Sequence, residues 1–101
     1  MKLFNAFYSS LPTRVRQEVA REIVCDLLAS YTSRAASFVP GSVLQRRLGR
    51  IAPVDPCVFL ADILQLRYFH VNGHVWVVAG VERRGKSKRT RMVRVYFRRL
   101  D

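Results

Sequence analysis

The sequence predicts an α+β fold of three helices followed by a C-terminal antiparallel β-hairpin, and three observations lead to it. An apolar residue recurs at every fourth position from 11 to 31, the mark of an amphipathic helix. Two shorter apolar stretches follow, each opened by a residue able to cap a helix and set off by proline or glycine. The period then changes: Val93, Val95 and Phe97 alternate with Arg94, Tyr96 and Arg98, the spacing of a strand with one buried and one wettable face. At 101 residues the chain has the length of one domain with one core.

The first helix is read from SSLPTRVRQEVAREIVCDLLASYTSR. Ser10 or Thr13 can cap it, and Pro12 suits its first turn. Leu11, Val15, Val19, Ile23, Leu27 and Tyr31 form the inward stripe, widened by Ala20, Val24 and Leu28. Arg14 and Glu18 make an i,i+4 pair on the exposed side, worth only about 0.3 kcal/mol.

A possible short strand at Ser37 to Val39 comes next, before Pro40 and Gly41 break the chain. Ser42 can cap a short second helix with Leu44, Leu48 and Ile51 facing inward and Arg46, Arg47 and Arg50 on the other side. Asp55 followed by Pro56 is an N-cap followed by a first-turn proline, opening a third helix whose buried side is Phe59, Leu60, Ile63 and Leu64. Two short helices joined by a few residues make a helix-turn-helix over about 42–67.

The remainder reads as β. RYFHV and HVWVVAGV flank Asn72-Gly73, a two-residue hairpin signal because both turn positions need positive φ. A competing parse extends the third helix to about Tyr68. The run ERRGKSKRTR, residues 82 to 91, places six basic side chains in ten positions between two segments of good β character. It is therefore expected to be a hairpin loop, in a unit spanning about 74–99, and Trp76 is expected in the core.

The net charge is +11, and residues 82–101 carry nine basic groups against two acidic ones. That balance points to a polyanion, with nucleic acid ahead of a membrane surface because no apolar helix accompanies the basic run; charge kept for solubility is the bland alternative. Fifteen of the eighteen basic residues are arginine, which favours forked contacts to phosphates and base edges. Cys25 and Cys57 are too few for a disulfide scaffold and have no metal spacing. The N-terminal apolar run is too short for a secretory leader, so a cytoplasmic protein is expected, with no membrane association. His70 and His74 flank the Asn-Gly turn without a cysteine or carboxylate to complete a metal site. Glu82 with Lys86 lacks the further carboxylate of a metal-dependent nuclease, and there is no glycine-rich phosphate loop. The expectation is a protein that is not an enzyme and has no metal, cofactor or small-molecule substrate.

SVLQRRLGRIAPVDPCVFLADIL followed by HVWVVAGVERRGKSKRTRMVRVYF resembles the winged helix-turn-helix family in the order of its elements, over nearly the whole chain. The resemblance implies binding of double-stranded DNA by a transcriptional regulator or architectural factor. It places the third helix in the major groove and the hairpin, the wing, against phosphates or the minor groove. By position, the outward side of the third helix would be Val58, Ala61, Asp62 and Gln65, with Asp62 and Gln65 as possible base readers. Here the chain departs from the family: residues 55–66 hold two aspartates and no basic residue. Phosphate contacts are accordingly expected from Arg46, Arg47 and Arg50 of the second helix and from Arg83, Arg84, Lys86, Lys88, Arg89 and Arg91 of the wing. The alternatives are an RNA-binding protein of a ribonucleoprotein that uses the Arg94, Tyr96, Arg98 face, and a protein-interaction module that docks through the third helix. A homodimer is also expected as an option, since Leu3, Phe4, Phe7, Tyr8, Tyr31 and Phe38 could exceed what one core hides.

Overall fold

Thr13–Leu28 forms the first helix, α1, of a computed structural model that describes residues 8, 10–39, 56–85 and 92–101. Pro12 takes the N-cap position expected of Ser10 or Thr13 and supplies no side-chain hydrogen bond; the Arg16 N–H donates to its carbonyl at 2.9 Å. The inward stripe is narrower than its four-residue repeat suggested. At 3.6 residues per turn such a repeat drifts by about 40° per step, so its ends rotate away from the core. Ala20, Ile23, Val24 and Leu28 are buried and Val19 and Leu27 partly so, while Val15 remains 40% exposed. The Arg14–Glu18 pair forms at 3.8 Å with both side chains largely in solvent. Past Leu28 the N–H groups of Ala29, Ser30 and Tyr31 donate to the carbonyls of Cys25, Leu27 and Leu28, which satisfies the end of the helix.

The strand β1 (Ala35–Phe38) follows, then the helix α2 (Pro56–Leu66) and the strands β2 (Tyr68–Val71), β3 (His74–Arg84) and β4 (Met92–Arg99). The strands form one antiparallel sheet in the order β1-β4-β3-β2. This overturns the winged helix-turn-helix architecture: the described residues hold two helices and a four-stranded antiparallel sheet, not three helices carrying a hairpin. The α+β class stands. The physical reason lies in β4. A wing is a hairpin at the margin of a helical bundle, whereas β4 is an interior strand hydrogen-bonded on both sides, to Ala35–Phe38 and to β3. Its inner side chains form the floor on which the helices pack. The second helix expected from the sequence, with Arg46, Arg47 and Arg50, lies outside the described residues, as do Lys86, Lys88, Arg89 and Arg91.

The turn between β2 and β3 is the one expected: Asn72 and Gly73 both have positive φ, 51° and 79°, as a two-residue hairpin of this twist requires. The third-helix parse that ran on to Tyr68 is excluded, because α2 stops at Leu66. Arg67 stops it by adopting φ 63°, the left-handed conformation at a helix C-terminus that usually falls to glycine. One residue thus turns the chain straight from helix into strand.

The core lies between the helices and one face of the sheet. Phe69, Val71, Trp76, Val93, Val95 and Phe97 rise from the strands to meet Ile23, Val24, Leu28, Phe59, Leu60 and Ile63. Phe97 stacks on Phe38 with centroids 4.9 Å apart and meets the edge of Phe69 at 5.6 Å. Tyr8, Tyr31 and Phe38, considered above as candidates for a dimer contact, are fully or partly buried in this chain's own core. Trp76 is in the core as expected, 1% exposed. No helix among the described residues is long and apolar enough to cross a membrane.

The orientation of α2 differs from the sequence reading. Leu64, expected inside, is 44% exposed, and Asp62, expected outside, is 2% exposed. Asp62 is accommodated because it is fully engaged. Its Oδ2 accepts from the Tyr8 hydroxyl at 2.6 Å and from Arg16 Nε at 3.0 Å, and its Oδ1 accepts from Arg16 Nη2 at 3.2 Å. Burial, reinforced by the Asp62 hydrogen bond and charge, pushes the Tyr8 phenol well above its ordinary pKa and keeps it a donor. The forked arginine ties α1 to α2, and hydrophobicity alone could not have foreseen which side of α2 faces in. Asp62→Asn removes the charge facing Arg16 while keeping the shape. It is expected to cost about 2–4 kcal/mol, a fall in Tm of roughly 10–20 °C by differential scanning calorimetry. An unchanged Tm would contradict this role.

Candidate functional site

Alternation along β4 sends Arg94, Tyr96 and Arg98 to the face of the sheet opposite the helices, where both arginines are exposed. The register assigns their neighbours. Glu82 stands opposite Arg94, Gly80 opposite Tyr96 and Val77 opposite Arg98, with Tyr68 of β2 beyond Val77; on the other side Ser37 pairs with Tyr96 and Ala35 with Arg98. Tyr68 is 53% exposed, a large aromatic side chain with half its surface in solvent. The face therefore combines arginines with two tyrosines over a floor of small and β-branched residues.

A bulge decides which β3 side chains reach this face. Trp76 and Val78 point inward, and strict alternation would next send Gly80 inward and Val81 out. The register shifts between Val78 and Gly80, so one residue is passed without a partner. Val81 then joins Val95 on the core side, and Glu82 moves to the open face opposite Arg94. Val78 and Val81, both core-directed yet an odd number of residues apart around a glycine, carry this signal in the sequence.

Tyr96 lies across the strand it faces. Its Cδ2 is 3.9 Å from where a Cβ on Gly80 would stand, and its hydroxyl donates to Glu82 Oε2 at 2.7 Å. The ring thus reaches from β4 over the glycine to the carboxylate two residues further along β3. Glu82 also accepts from Arg84 Nε through Oε1. The Tyr96 hydroxyl, then Arg84, with Arg94 adding its charge, hold the Glu82 carboxyl below the ordinary glutamate range. Along β4, Arg94 and Arg98 stand about 7 Å to either side of Tyr96. Basic, aromatic and acceptor groups are thereby fixed on rigid strands.

The residues expected to bind nucleic acid are only partly gathered here. Arg84 shares the open face, paired with Met92, while Arg83 pairs with Val93 and so projects toward the helix side. Both are exposed, and β3 and β4 pair up to Arg84 and Met92, so Glu82, Arg83 and Arg84, expected in a hairpin loop over 82–91, belong to the strand, while residues 86–91 lie outside the described residues. Asp62 is turned into the core and Gln65 is exposed on α2, which leaves no base-reading pair on that helix. Tyr68, and Glu82 as the partner of Tyr96, had not been singled out as contact residues from the sequence. His74 is paired through Nδ1 with Asp101, and the His70 side chain is exposed. Among the described residues no group of three or more His, Cys, Asp or Glu is placed to hold a metal ion. Burial pushes the Cys25 thiol upward, away from nucleophilic use.

No family model, curated protein or solved structure matches the chain.

Because the Glu82 pKa is depressed in the folded protein, its contribution to stability is present above the unfolded value and is lost as pH falls through the folded one. Carboxyl-detected NMR is expected to show Glu82 titrating below the ordinary glutamate range in the wild type and moving upward in Tyr96→Phe, which deletes the largest cause. An identical midpoint in both proteins would remove the hydroxyl from the account.

Proposed function

We propose that this chain is a non-enzymatic nucleic-acid-binding protein that lays a single strand, RNA or single-stranded DNA, across the open face of its sheet. The observation that carries the reading is the row Arg94–Tyr96–Arg98 on a central strand, with the Tyr96 ring reaching over Gly80 and Tyr68 exposed nearby. Unpaired bases present π faces, and exposed aromatics on a sheet flanked by arginines are suited to receive them while the arginines take phosphates. A stacked duplex offers no such faces. The charge excess of the last twenty residues supplies long-range attraction to any polyanion.

A second reading is binding of double-stranded DNA, in a regulator or architectural protein, led by the β3–β4 hairpin. It is favoured by the exposed Arg83 and Arg84 at the end of β3 and by the basic residues between them and β4 in the sequence. That reading predicts phosphate contacts without stacking.

Fluorescence anisotropy with labelled single strands and the matching duplex, over a salt series, separates the two. The single-strand reading predicts tighter binding to single strands, with a log–log salt slope of roughly −3 for about four neutralised phosphates. Tyr96→Ala or Tyr68→Ala should each cost about 1–3 kcal/mol, and replacing Arg94 and Arg98 together by alanine should flatten the slope by roughly 1.5. Arg14→Ser on α1, which removes one exposed positive charge away from this face, serves as a control for net charge. Tighter duplex binding that ignores both tyrosines would favour the hairpin; binding of neither would refute both readings.

A further inference from the structure

Glu82 is an acid on a face otherwise furnished with arginines and tyrosines, and its position bears on which base that face accepts. This step rests on the single-strand reading. The Tyr96 hydroxyl ends at Glu82 Oε2, so the edge of a base lying offset on that ring extends over the hydroxyl end and toward the carboxylate. An ionised carboxylate accepts only, with about four lone-pair sites on its two oxygens. Tyr96 engages Oε2 and Arg84 engages Oε1, and the side chain keeps 33% of its surface accessible. It thus retains both capacity and access for a ligand donor. Its two partners also fix its orientation: Tyr96 comes from the neighbouring strand and Arg84 lies two residues along its own.

We propose that Glu82 reads the edge of a base stacked on Tyr96, selecting bases that direct an exocyclic amine at it, as cytosine does, over uracil. The two pyrimidines have the same size and differ at this edge in the amine of cytosine and the carbonyl oxygen of uracil. A fixed acceptor that faces the C4 substituent, and not the ring N3–H that uracil also carries, attracts the first and repels the second, and a carbonyl presented there leaves the carboxylate partly desolvated without a partner. The phosphates remain with Arg94 and Arg98, which hold the strand whatever its sequence. Affinity and selectivity then reside on different side chains of the same row.

The alternative is that Glu82 only anchors Tyr96 and Arg84. Binding of oligo(C) and oligo(U) RNA at neutral pH, measured for the wild type, Glu82→Gln and Glu82→Asp, distinguishes them. The wild type is expected to bind oligo(C) about tenfold more tightly than oligo(U). Glu82→Gln, whose amide both donates and accepts, should bring the ratio near unity, and Glu82→Asp, which keeps an acceptor, should retain part of it. Equal affinities in the wild type would overturn the proposal. So would a uniform change in Glu82→Gln that preserves the ratio, since that is what a merely structural or repulsive carboxylate produces. If the wild type binds neither oligonucleotide, the single-strand reading fails and this inference goes with it.

Discussion

The alternation of β4 is the constraint on which the rest of the molecule depends. Val93, Val95 and Phe97 are buried at 0, 0 and 1% exposure and form the centre of the core floor. Because side chains on a strand alternate, that burial obliges Arg94, Tyr96 and Arg98 to face the other way. A slip of one residue would bury two arginines and expose two valines and a phenylalanine, so the register is strongly specified. The strand is also central: β1 and β3 are hydrogen-bonded to its two edges, and α2 packs over its inner side while α1 packs against α2 and β2. The open face, on which the proposed contact surface lies, is therefore the reverse side of the folding core and inherits its rigidity.

Two local devices adapt this frame. The bulge near Gly80 keeps Trp76, Val78 and Val81 all on the core side while placing Glu82 beside the Tyr96 hydroxyl. On the helical side, the buried Asp62 is held by Tyr8 and by two nitrogens of Arg16, which joins α2 to α1 and to the segment before it. Such a cluster stabilises little relative to apolar packing but is costly to leave incomplete, which is how it fixes the rotation of α2. The same fact withdraws Asp62 from the outward side of α2, where Gln65 remains exposed.

Much of this was legible in the sequence wherever the signal is local. The Asn72–Gly73 turn, the alternation of β4 and the burial of Trp76 all follow from patterns within a few residues. The architecture did not, because it depends on distant pairings. AASF has weak β character by itself and becomes a strand by pairing Ala36 with Phe97 and Phe38 with Val95, some sixty residues away. Without that partner the chain resembles three helices and a wing. Asp62 was misplaced for a related reason: the residues that make its burial tolerable, Tyr8 and Arg16, are 54 and 46 positions earlier. Within the site, the Arg94, Tyr96 and Arg98 face could be read from period alone, whereas Glu82 required knowledge of the bulge and Tyr68 required the strand order.

A face defined by alternation makes a spatial claim that can be mapped residue by residue. The most direct test is a titration of isotopically labelled protein with a short mixed-sequence RNA single strand, followed by amide and side-chain NMR shifts. The account predicts shifts concentrated at Tyr68, Val77, Glu82, Arg84, Arg94, Tyr96 and Arg98, with the ring signals of Tyr96 and Tyr68 moving upfield as bases stack on them. Shifts confined to α1 and α2, with both tyrosine rings unmoved, would contradict it.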